Sequence, residues 1–98
     1  MQANTKLDSQ EKAHLKEMKA NNPNVVLVNN GKTTIAYKDL GNTVEFALSV
    51  SAPTEKKFRR KVGEYNAMYR FDYLNTTVKM ARDDFFYMLN VVLQINEY

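Results

Sequence analysis

Apolar and polar residues alternate most cleanly between residues 43 and 73, where two period-2 runs flank a cationic stretch. Val44, Phe46, Leu48 and Val50 share one side of the first run, with Glu45, Ala47, Ser49 and Ser51 on the other. In the second run Tyr65, Ala67, Tyr69, Phe71 and Tyr73 alternate with Asn66, Met68, Arg70 and Asp72. Each run predicts a pleated strand with one apolar face. A helix over 58–71 through Phe58, Val62, Tyr65 and Tyr69 also fits the spacing. It ranks second because the alternating match is longer.

The rest of the chain divides around these runs. Residues 8–20 are strong helix formers behind a capping candidate, Asp8 or Ser9, and Asn21-Asn22-Pro23 stops them. Only Leu15 and Met18, with Leu7 near the start, fall at helical spacing, so 1–22 reads as a lightly docked helical arm. Residues 24–51 read as a β-meander. Asn29-Asn30-Gly31-Lys32 and Asp39-Leu40-Gly41-Asn42 are its turns, since Asn and Gly tolerate the positive φ that tight turns demand.

A basic segment, 54–62, follows Pro53. It is either a short helix capped by Thr54 with Phe58 and Val62 turned inward, or an extended loop. Residues 64–81 then read as a β-hairpin whose return strand carries Val78 and Met80. Asp83 and Asp84 suit the N-terminus of a last helix, 83–96, because anions complement the helix dipole there.

That helix is apolar over more than half its circumference, more than one sheet face can bury. Phe85, Met88, Leu89, Val92 and Ile95 are therefore candidates for a homodimer interface. The predicted fold is α+β: an antiparallel sheet of about five strands, meander plus hairpin, with an N-terminal helix and a C-terminal amphipathic helix.

Composition narrows the chemistry. Ninety-eight residues make a single domain. The absence of cysteine and the single His14 exclude a disulfide framework, a thiolate metal site and a histidine cluster. No window is apolar enough for a membrane span, and the polar N-terminus lacks a signal-peptide core, so a cytoplasmic protein is expected. The three glycines are isolated, so there is no phosphate loop. Asp83 and Asp84 would point about 100° apart on a helix, which favours capping over metal binding. His14, among Lys and Glu, reads as a solvated side chain. No catalytic residue, metal or cofactor is expected, and the chain reads as a non-enzymatic protein.

Charge is unevenly spread. Residues 55–61 hold five cations and one anion, whereas the whole chain carries a formal charge of +3, so the remainder is close to neutral. A local basic patch of this kind suits one anionic partner. Lys56, Lys57, Arg59, Arg60 and Lys61 are the candidate phosphate or carboxylate contacts, with Arg70 beside them on the following strand. Tyr65 and Tyr69 are candidate stacking residues for unpaired bases if their face is open, and core residues if it is closed. The leading expectation is single-stranded nucleic acid binding as a homodimer. The alternative is an inhibitor or adaptor that meets an acidic surface of another protein with the same cations.

Strands followed by a C-terminal helix, with basic residues on a sheet, resemble in element order over residues 24–96 the Whirly-like transcriptional coactivators. That resemblance implies dimerisation and a grip on single strands. It rests on element order alone, and no family residue carries over. Small, basic, cysteine-free chains also resemble phage-encoded inhibitors of host proteins.

Overall fold

Two tight hairpins set the sheet. In a computed structural model that describes residues 7–31, 33–50, 60–74 and 76–95, Asn30 N donates to Thr33 O at 3.1 Å and Leu40 N to Thr43 O at 2.8 Å. Gly31 and Gly41 stand at φ of 103° and 101°, the left-handed region that glycine enters without steric cost. These turns join β1 (Val25–Asn29), β2 (Thr33–Asp39) and β3 (Thr43–Val50) into the expected meander. A short β4 (Val78–Ala81) pairs antiparallel with the first half of β3, which completes a four-stranded sheet in the order β1-β2-β3-β4.

The sheet is covered on both faces. On one lie α1 (Ser9–Asn21) and α2 (Arg60–Met68), which bury Leu15, Met18, Val62, Tyr65, Ala67 and Met68 against Ala36 and Ala47. On the other lies α3 (Arg82–Tyr87), whose Phe85, with Leu89 of the turn that follows it, packs on Val28, Ile35, Tyr37, Val44 and Phe46. Both α2 and α3 end in a wider π turn, over Tyr69–Tyr73 and Met88–Val92. Its i→i+5 bonds run from Leu74 N to Tyr69 O and from Leu93 N to Met88 O, each 2.9 Å.

The α+β class and the antiparallel sheet agree with the sequence pattern, but the sheet has four strands among the described residues, because residues 65–73 are helical. The hairpin expected over 64–81 is therefore absent, and β4 pairs with β3 instead. The physical reason lies in Met68 and Glu64. Alternation would set Met68 among Asn66, Arg70 and Asp72 on a wet face, yet its thioether is buried at 1% exposure. Only a helix turns Val62, Tyr65, Met68 and Phe71 onto one side while holding Glu64 one turn beyond Arg60.

The helix expected within 1–22 forms over Ser9–Asn21, and its docking is firmer than a light one. Asp8 Oδ1 accepts from Glu11 N at 2.8 Å and Glu11 Oε1 from Asp8 N at 3.1 Å, a capping box that starts the helix. Leu7, Leu15 and Met18 are then buried, enough to seat it on α2. The element order behind the likeness to the Whirly-like proteins changes with these corrections. Among the described residues no helix is long and apolar enough to cross a membrane.

Candidate partner-binding groove

The seating of α1 on α2 creates the most distinctive surface among the described residues. Lys12, Lys16 and Lys19 recur at i, i+4 and i+7, so they stand on one flank of α1 beside its buried stripe. That flank meets Lys61 at the start of α2. Between them runs a groove of about 330 Å³ lined by Leu7, Lys12, Leu15, Lys16, Lys19 and Lys61. Its floor is leucine and its rim is lysine, whose methylene stems extend the apolar surface while the ammonium groups reach water.

Glu64 organises one end of the rim. Its side chain is buried at 7% exposure, and its carboxylate faces Lys19 Nζ at 3.2 Å, Arg60 Nε at 3.5 Å and Lys61 Nζ at 3.5 Å. One anion thus holds three cations in place. Lys12 and Lys16 make no ion pair among the described residues, so the rim keeps a clear positive excess.

On the other flank of α1, His14 Nδ1 and the Tyr65 hydroxyl share a hydrogen bond of 3.0 Å in which either group can donate. The imidazole meets Tyr65, Tyr69 and Tyr73 edge-on, and Tyr69 stacks on Tyr73 with 4.8 Å between ring centres. Burial, with the nearby Glu11, Tyr69 and Asp8 charges adding to it, pushes the Tyr65 phenol above its ordinary range, so it stays neutral. His14 is thus a half-buried packing residue, where a solvated one was expected.

The predicted site residues separate. Lys56, Lys57 and Arg59 lie outside the described residues. Arg60 and Lys61 open α2, exposed and paired with Glu64. Arg70 is about ten residues on, roughly 15 Å along a helix axis, and its Nη1 donates to Leu48 O at 2.7 Å. Tyr65 is buried at 6% exposure and Tyr69 is half-buried, while the exposed ring of the series is Tyr73. Tyr65 is therefore core and presents no open face for a base.

The residues predicted for a dimer interface are redistributed as well. Phe85, Leu89 and Ile95 are buried within the fold, because the aromatic and β-branched side of the sheet takes them. Met88 is half-buried, and Val92 stands exposed with Tyr87 and Val91 on the outer side.

The lysine flank was visible in the sequence as a helical repeat of cations at 12, 16 and 19. It carries weight only once α1 is known to dock. No protein-family model matches the chain, and comparison with curated proteins and with solved structures finds no match either. Among the described residues no group of three or more His, Cys, Asp or Glu side chains could hold a metal ion.

Proposed function

We propose that this chain is a non-enzymatic binding protein that takes an acidic, amphipathic segment of another protein into the groove between α1 and α2. The observation that carries the proposal is the leucine floor beneath a lysine rim. Carboxylates of a partner would pair with Lys12 and Lys16, the two rim cations that make no ion pair among the described residues, while apolar side chains of the same segment cover Leu7 and Leu15. Such a surface serves an inhibitor or adaptor. Single-stranded nucleic acid would use the same cations as phosphate contacts, but it gains most of its sequence-tolerant affinity from stacking, and Tyr65 is closed to it.

Titrations of a labelled peptide with alternating Glu pairs and Leu, and of a labelled single-stranded oligonucleotide, test the reading. The peptide should bind in moderate salt, because part of its affinity is apolar. The oligonucleotide should bind only weakly at low salt. Tight oligonucleotide binding with a log–log salt slope near −3, about 0.7 for each of four lysines, and no peptide binding would overturn it.

A further inference from the structure

The two edges of the sheet are built differently. β4 is short, and Lys79 stands exposed where its backbone turns outward. Where β3 runs on past β4, the carbonyl of Leu48 is closed by the Arg70 guanidinium at 2.7 Å. Cations at an edge deter a further strand, and both devices guard this side. The β1 edge has neither. Val25-Val26-Leu27-Val28-Asn29 carries no charge and no proline, its register with β2 is unbroken, and among the described residues no strand lies beyond it.

The backbone of β1 is also in the right phase to pair with itself. The hairpin bond from Asn30 N to Thr33 O makes 30 and 33 a hydrogen-bonded pair, so Val28 and Val26 turn their amides and carbonyls toward Ile35 and Tyr37 of β2. Leu27 and Asn29 then turn theirs outward. Val25 N is taken by Asn22 O at 3.1 Å, leaving the Val25 carbonyl outward.

We infer that β1 is the contact through which two copies of this chain associate, antiparallel about a twofold axis at Leu27. The result is one eight-stranded sheet, four strands from each copy. In that register Leu27 exchanges both bonds with its counterpart, and Asn29 N donates to the Val25 carbonyl across the axis. Residues of like parity meet, so each side chain finds the same face of the partner sheet. Val26, at 43% exposure, comes beside Val28 of the second copy and loses its contact with water. The interface does not use α3, and it leaves the lysine groove on each copy. A five-residue ladder is a small contact, so the dimer is weak and reversible, with a dissociation constant of about micromolar or higher.

Sedimentation and amide hydrogen exchange over a range of protein concentration test the inference, with Val26→Lys and Val92→Lys as paired variants. The mass should rise toward the dimer with concentration. The Leu27 and Asn29 amides should gain protection in parallel, while those of Val26 and Val28, already bonded to β2, should not change. Val26→Lys brings two like charges to diagonal positions across the axis and should weaken association at least about tenfold, whereas Val92→Lys should leave it unchanged. A strict monomer at every concentration overturns the inference. So does association abolished by Val92→Lys and not by Val26→Lys, or association without protection at Leu27 and Asn29. Should Val26→Lys lower the melting midpoint, the wild-type amide pattern decides alone.

Discussion

The two helical layers are held to one sheet by different means. On the α1–α2 side the sheet offers small residues, Ala36 and Ala47, to Leu15, Met18, Val62, Tyr65, Met68 and Phe71 of the helical layer, and the contact includes a buried carboxylate bridged to three cations. On the α3 side the contact is aromatic. Phe85 lies 5.0 Å from Tyr37 and 5.2 Å from Phe46 between ring centres, with Phe86 edge-on to it at 5.2 Å. The ionic element there sits at the rim, where Arg82 Nε meets Asp39 Oδ2 at 2.9 Å and its guanidinium lies over Phe86.

The comparison separates two jobs. The aromatic layer buries Phe85 and Leu89 with no exposure, and apolar burial is worth roughly 25 cal/mol per Å², so lost volume there is costly. The layer built on small residues lets helices lie close to the sheet, and its charges fall at the surface where a partner can reach them. The proposed recognition groove thus lies on the face of the sheet opposite the aromatic layer.

The largest expected effect lies in the aromatic layer. Phe85→Ala removes a side chain with no exposure, so urea or thermal unfolding should show a loss of about 3–5 kcal/mol. That is a large share of a small domain's stability. The loss should hardly depend on salt, because it is a loss of packing. A cost below about 1 kcal/mol would mean that α3 is not the seat of the core.

A smaller and differently behaved effect is expected at Glu64. Glu64→Gln keeps the shape but removes the anion shared by Lys19, Arg60 and Lys61. Those cations are 41–68% exposed and can rehydrate, so the loss should be only about 1–2 kcal/mol. It should shrink as salt rises, since screening already weakens the pairs in the parent protein. If both variants responded to salt alike, the contrast between the layers would fail.

How much of this was legible in the sequence follows from the same contrast. The β1–β3 meander was readable because its turns have Asn and Gly at the required places and its strands alternate. The β4 segment was readable too, and so was the start of the last helix, whose turns stop at Val92 where 83–96 was expected, with 93–95 outside it. Residues 65–73 misled, because Tyr65, Tyr69 and Tyr73 are four apart, a spacing that belongs to a helix face as well as to one side of a strand. With Ala67 and Phe71 between them, both periods fit. What decides is tertiary: Met68 has an apolar site waiting against α1, and Glu64 has Lys19 from a distant segment. No local pattern contains that information. The groove was hidden for the same reason, since a thin stripe of Leu15 and Met18 does not announce that α1 docks.

The smallest change in stability should accompany the largest change in recognition. Lys12 and Lys16 are exposed and carry no ion pair among the described residues, so reversing both to Glu breaks no salt bridge seen there. It exchanges one like-charge pair at i, i+4 for another and turns the favourable Asp8–Lys12 spacing unfavourable, which costs about 0.2–0.5 kcal/mol in a helix. The melting midpoint should therefore move little. Binding of the acidic peptide should fall by at least about tenfold, because two attractive contacts become repulsive ones. Lys79→Glu, which reverses a charge on β4 at the far edge of the sheet, should leave that affinity unchanged. Equal losses from both reversals would show that the peptide responds only to net charge, and the groove would then have no claim as a site. Loss confined to the Lys12 and Lys16 pair, with the fold intact, ties recognition to the flank of α1 that the docked helix presents.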